Sequence, residues 1–290
     1  MNVSKWVSSI TLESPITEQV LLLFGRNGIT NSPIGSAVFI APRLAITVKH
    51  VIAEFWRLYG TPDVGLEDKG DKNAEFEILA IQYPGAEAHP AVWITRRAWL
   101  SPHSDLAVIT LEPADELSKD YQFTQVPTLS VLPPSKGEQI RACGFAASQV
   151  SGINGNRVEL LLNPLSAAGP VTETYPSHRD RGLLSFPCFE IETVFIGGMS
   201  GGPIYNASNE ICGLVCVGMN DYPSAHGVVL WPLFGVAIDQ EIPSLTLTEP
   251  YPIAHLADRG FFRLKDWDQV AGNTEIVEEA FAKPRLRLKS

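Results

Sequence analysis

The chain has 290 residues, 45% of them hydrophobic and 19% charged, a globular composition that excludes a disordered or low-complexity protein. Its 22 Lys and Arg against 32 Asp and Glu leave a formal charge of −10, the wrong balance for a nucleic-acid partner, which needs a basic patch. No apolar run approaches the roughly 18 residues that span a bilayer, so no membrane partner is expected.

The opening stretch, MNVSKWVSSITLESP, lacks the continuous apolar core of a signal peptide. Short apolar runs rich in β-branched residues follow, broken by Gly, Pro, Asn and Asp, and they predict a mostly β chain. A first series of strands is expected over Val20–Gly25, Gly35–Ile40, Leu44–Thr47, Phe76–Tyr83 and Leu106–Leu111. After a Pro-containing connector over Ser118–Pro134, a second series is expected. It covers Gln139–Gly144, Val158–Leu162, Phe189–Glu192, Ile211–Val217 and Gly227–Leu230. Two β lobes joined by a linker are the simplest reading. Helical patterning stays weak until the acidic-apolar stretch Glu275–Ala282, and the basic run Arg285–Lys289 reads as a solvated tail. No repeat of solenoid period is visible.

Four cysteines stand at 143, 188, 212 and 216. Cys212 and Cys216 lie too far apart along one strand to bridge each other, and no CxxC pair suggests zinc. Free thiols in the cytoplasm, with no metal and no cofactor, are expected.

Three places hold side chains suited to one another. The β-rich run Leu44–Thr47 leads through Val48 and Lys49 to His50, whose neutral imidazole takes a hydroxyl proton near neutral pH. Asp105 directly precedes the apolar run from Leu106, where an acid held at a strand mouth would orient a histidine. Ser200 lies in Gly198-Met199-Ser200-Gly201-Gly202, closed by Pro203; the glycines allow a sharp turn that exposes the hydroxyl and gathers backbone N–H groups. Taken alone, His50 reads better as a structural or exposed strand-end histidine and Asp105 as an ordinary turn aspartate, and the serine string also fits an idle loop turn. Together, in this order, they point to nucleophilic catalysis.

Here the sequence resembles the chymotrypsin/trypsin-like serine peptidases, as an intracellular, bacterial-type member. The residues that carry the resemblance are Thr47-Val48-Lys49-His50, Asp105-Leu106-Ala107 and Gly198–Pro203, with Gly137–Phe145 and Gly213–Gly218 in support. It implies an all-β fold of two six-stranded antiparallel barrels, an N-terminal one over 16–118 and a C-terminal one over 131–240. An extension of unassigned role would occupy 241–290. It also implies a His50, Asp105, Ser200 triad, an oxyanion hole from the N–H groups of Gly198 and Ser200, and a protein or peptide substrate. Cys216, Val217 and Gly218 would lie along the substrate. Val194 would sit near the base of an apolar primary pocket, with Gly218 and Gly227 leaving its walls open.

Departures from the family pattern carry their own expectations. Met199 stands where secreted members use an aspartate to bind a newly cut N-terminal amine, so activation by N-terminal cleavage is not expected, and gating by a partner or loop is an option. Val51 and Ile140 replace disulfide cysteines. Cys216 replaces a serine that supports the triad acid, and a thiol donates more weakly. Two alternatives stand beside the endopeptidase: a trypsin-fold binding module without turnover, and an α/β-hydrolase esterase using Gly-x-Ser-x-Gly with Asp239 and His255.

Overall fold

The computed structural model describes residues 5–12, 14–26, 31–59, 77–83, 89–119, 121, 126–154, 157–219, 222–238 and 251–271. The stretches Glu275–Ala282 and Arg285–Lys289, together with Asp239, lie outside the described residues. Among those described, no helix is long and apolar enough to cross a membrane.

The first barrel is built from β1 (Val20–Arg26), β2 (Asn31–Ala41), β3 (Leu44–Thr47), β4 (Glu77–Gln82), β5 (Ala91–Leu100) and β6 (Ala107–Pro113), closed in the order β1-β2-β3-β6-β5-β4. Residues Val20 to Gly25 of β1 are all buried, so this run is apolar on both faces instead of alternating. Each fully buried Leu or Phe contributes about 1.5–3 kcal/mol relative to exposure. Phe39 meets Trp93 edge-on, ring centroids 5.6 Å apart, tying β2 to β5.

The second barrel uses β7 (Gln139–Phe145), β8 (Pro164–Tyr175), β9 (Cys188–Ile191), β10 (Pro203–Tyr205), β11 (Ile211–Gly218) and β12 (Ala225–Val228). They close in the order β7-β8-β9-β12-β11-β10 through the β10–β7 pairing, so the two barrels repeat one topology. The chain is therefore all-β, in two six-stranded antiparallel barrels.

Several expectations need correction. Arg157–Leu161 is an arm of a separate hairpin with Gln149–Asn154, not a barrel strand. The sequence pattern does not announce strands β5, β8 and β10. Arg96 and Arg97 interrupt the apolar pattern of β5, β10 has only three residues, and β8 contains Gly169 and Pro170, which read as turn residues. β8 is long because it serves two partners, pairing β7 over Pro164–Pro170 and β9 over Val171–Tyr175.

The described part of the extension docks on the second barrel. Tyr251–Pro252 pairs with Ala237–Ile238, and Arg263–Lys265 runs parallel to Thr128–Ser130, which itself joins β11 at Ile211. Phe234 holds this segment, its ring 6.3 Å from Phe262 and 5.5 Å from Trp267. Near the other end of the chain, Val7–Ser9 adds to β8.

Candidate active site

His50 lies in the first turn of a helix, Lys49–Tyr59, and not at a strand end. Val51 and Ile52 favour a strand locally, but Val48, Val51, Ile52 and Phe55 are all buried, and that spacing is one face of a helix. The register β3–β6, with Thr47 opposite Ala107, brings the residues after Thr47 alongside those before Ala107. Lys49 N–H accordingly donates to the Asp105 carbonyl at 3.2 Å. His50 N–H donates to Asp105 Oδ1 at 2.9 Å, and His50 Nδ1 lies 2.6 Å from Oδ2. The histidine side chain is 45% exposed and the aspartate 10%, so the acid is sheltered while the ring faces solvent.

Ser200 sits in the loop between β9 and β10. Gly198 and Gly201 have φ of +96° and +86°, where a side chain is strained. At Gly201 a Cβ would also fall 2.1 Å from both the Ser36 carbonyl oxygen and Thr47 Oγ1. Five backbone bonds pin the loop: Met199 N–H to Ile196 O, Gly202 N–H to Met199 O, Gly201 N–H to Val215 O, Val215 N–H to Gly202 O, and Ala147 N–H to Gly197 O. The last has a directional consequence. In a trans peptide the C=O and N–H point opposite ways, so a Gly197 carbonyl turned to Ala147 aims the Gly198 N–H away from Ala147. Among the described residues, neither Gly198 N–H nor Ser200 N–H has a protein acceptor. Met199 is fully buried.

One residue touches both halves. Cys216 Sγ donates to Asp105 Oδ2 at 3.3 Å, and its carbonyl accepts the Ser200 hydroxyl at 3.3 Å. Among the described residues the Ser200 hydroxyl makes no hydrogen bond to His50. A bulge between Val215 and Val217 turns Cys216 toward the acid. Burial, then the Asp105 carboxylate, push its thiol well above the usual range. All four cysteines are buried and free.

Ser36 carries no signal in the sequence. Its hydroxyl donates to Gly198 O at 2.8 Å and accepts from Phe145 N–H at 2.9 Å, while its own N–H donates to Ser200 O at 2.7 Å. A lone serine in a strand says nothing locally of bonds to partners more than a hundred residues away.

The expected pocket walls fare differently. Val194 and Val217 are half-buried. Gly227 faces the barrel interior, where a Cβ would meet Ile204 Cδ1 at 2.5 Å and the Phe189 ring at 2.6 Å; it opens no pocket, because strand alternation turns it inward. At Gly218 a Cβ would lie 2.9 Å from the Phe195 carbonyl, so this wall is packed and not open. His226, opposite Val217, is fully buried with neither ring nitrogen partnered among the described residues.

A family model described as a trypsin-like peptidase domain matches residues 35–214, a span that contains Ser36, His50, Asp105 and Ser200. The chain belongs to the trypsin-like peptidase family. Among solved structures, this peptidase chain resembles Deg5 at 14% identity and a TM-score of 0.50, covering 74% of this chain and 84% of that one. The MamO protease domain from Magnetospirillum magneticum matches at 17% identity and a TM-score of 0.48, covering 74% of this chain and 93% of that one. At such identity the likeness is one of fold. No curated protein matches the chain.

The fold removes the esterase alternative. An α/β-hydrolase needs a strand-turn-helix at its serine, whereas Ser200 leads into β10 of a barrel.

Proposed function

We propose that this trypsin-like peptidase is a serine endopeptidase acting on proteins or peptides, with Ser200 as nucleophile, His50 as general base and Asp105 as the acid that orients it. The observation that carries the reading is the double grip of Asp105 on His50, at 2.9 Å and 2.6 Å. A carboxylate at Nδ1 makes that nitrogen the donor and leaves the lone pair on Nε2. Ser200 Oγ then attacks a carbonyl and passes its proton to Nε2. The Gly198 and Ser200 N–H groups receive the oxyanion, each worth roughly 2.7–4 kcal/mol in related sites. His50 returns the proton to the leaving amine, and water releases the acyl group. In this reading the Ser200 hydroxyl leaves the Cys216 carbonyl, to which it donates at 3.3 Å, when it turns to His50.

Activation does not require a cut N-terminus in this reading. Met199 is buried and cannot pair with an ammonium, and the loop is already pinned through Gly197, Met199 and Gly201. The half-buried apolar residues Val194, Phe195 and Ile196 favour an apolar side chain before the cut, which Phe or Leu against Arg or Lys reporter substrates test directly. Four buried free thiols favour a reducing, cytoplasmic setting.

The second reading is a trypsin-fold binding module. It is favoured by the Ser200 hydroxyl resting on Cys216 and by Gly218 lying against Phe195. The same contacts fit a latent enzyme opened by a regulatory protein. A fluorophosphonate probe tests both: labelling of the intact chain that disappears in Ser200→Ala and His50→Ala supports the endopeptidase. No labelling, alone or with cell extract, supports the binding module.

A further inference from the structure

Among the described residues, His50, Asp105 and Cys216 present a nitrogen, a carboxylate oxygen and a sulfur that all lie within 4.8 Å of one another. These are the ligand types of a zinc site, and the sulfur is peculiar to a chain with cysteine at 216. A serine hydroxyl there would be a poor ligand for a borderline-soft ion. The oxygen stands 2.6 Å from Nδ1 and 3.3 Å from Sγ. Tetrahedral zinc bonds of about 2.0–2.3 Å place ligand atoms roughly 3.3–3.7 Å apart, so the triangle must open between Asp105 and His50. The 45% exposed His50 can make that shift, and it is also the path of entry.

We propose that His50, Asp105 and Cys216 form an inhibitory site for Zn²⁺, with water as fourth ligand. On binding, Cys216 Sγ–H gives its proton to solvent and bonds the metal as thiolate. Nδ1 bonds the metal through its lone pair, so the imidazole, still neutral, carries its proton on Nε2. An Nε2–H cannot accept the proton of Ser200. Metal binding thus removes the base by changing its tautomer, with no need to block the substrate. The inhibition rests on the endopeptidase reading; the metal site does not.

The test therefore has an arm independent of activity. Co²⁺ added to the full chain is expected to give a thiolate-to-cobalt charge-transfer band. The band should be lost in Cys216→Ser, whose fold is checked by circular dichroism. In His50→Gln, whose fold is checked in the same way, Co²⁺ affinity should fall by at least about tenfold, the lower bound even for loss of an outer partner. In the second arm, Zn²⁺ should suppress fluorophosphonate labelling reversibly, with EDTA restoring it. Absence of the band in the intact chain, or its persistence in Cys216→Ser, overturns the site whatever the protein's activity. Labelling that is normal with metal demonstrably bound overturns the inhibition.

Discussion

The hydroxyl of Ser36, on the first barrel, donates to the carbonyl of Gly198, on the serine loop of the second, at 2.8 Å. It also accepts the Phe145 N–H, and Thr47 Oγ1 donates to the Ser36 carbonyl at 2.7 Å. One buried side chain thus sets how the serine loop sits against the barrel that carries His50 and Asp105.

Ser36→Ala leaves the Phe145 N–H and Gly198 C=O without their partner in a buried site, which costs about 1–3 kcal/mol. Urea unfolding should show that loss. The probe-labelling rate of the folded fraction should fall as well, because the Gly198 peptide is no longer held. Unchanged labelling with reduced stability would make Ser36 structural only.

Gly201→Ala forces a side chain onto a φ of +86° and into two oxygens 2.1 Å away. Backbone strain alone costs about 1–2 kcal/mol, and the clash adds to it. Lower thermal stability and loss of labelling are expected; a stable, labelled variant would refute this account of the loop.

Asp105→Asn keeps a side chain of the same shape but puts the wrong partner beside Nδ1. A fall of about 10⁴-fold in turnover is expected from the wrong tautomer. Steady-state hydrolysis of a peptide reporter, read beside the melting temperature, separates this from unfolding. A loss of rate in proportion to stability would count against an orienting role.

His226 makes acid unfolding steeper. Burial lowers its pKa from 6.5 to about 4, with Arg179 acting the same way and Glu190 and Asp180 opposing. Folded His226 is therefore neutral where the unfolded residue is already charged. Above pH 6.5 it makes no difference to stability. As pH falls from 6.5 to about 4 the unfolded state gains the proton first. The fold then loses up to about 3 kcal/mol, because each pH unit between the two titrations is worth about 1.4 kcal/mol. Urea midpoints at about pH 7 and pH 4.5, values chosen to bracket that window, should lie closer together in His226→Gln than in the parent chain, the remaining gap coming from acids such as Asp180 and Glu210 whose pKa values the fold lowers.

Much of this was legible locally. Apolar runs such as Val20–Phe24 announce β structure because burial on both faces admits no polar residue, and Leu44–Thr47 has the same bounds in the sequence pattern and in the fold. The turn residues around Ser200 announce a bend because only glycine relaxes at positive φ. Helix Lys49–Tyr59 is hidden in the sequence because Val51 and Ile52 outweigh, locally, a buried face that exists only once the barrel is there.

By itself, then, the sequence determined the barrel strands it could bury, the order of His50, Asp105 and Ser200, and the sharp turn of the serine loop. Only the tertiary structure decided that Gly227 points into the core, that Gly218 is packed against Phe195, and that Ser36 and Cys216 hold the site's two halves together. Side-chain type and local backbone preference act over a few residues and can be read in order. Hydrogen-bond satisfaction and strand facing depend on partners brought together by β-register across the chain, as with Cys216 and Asp105, 111 residues apart.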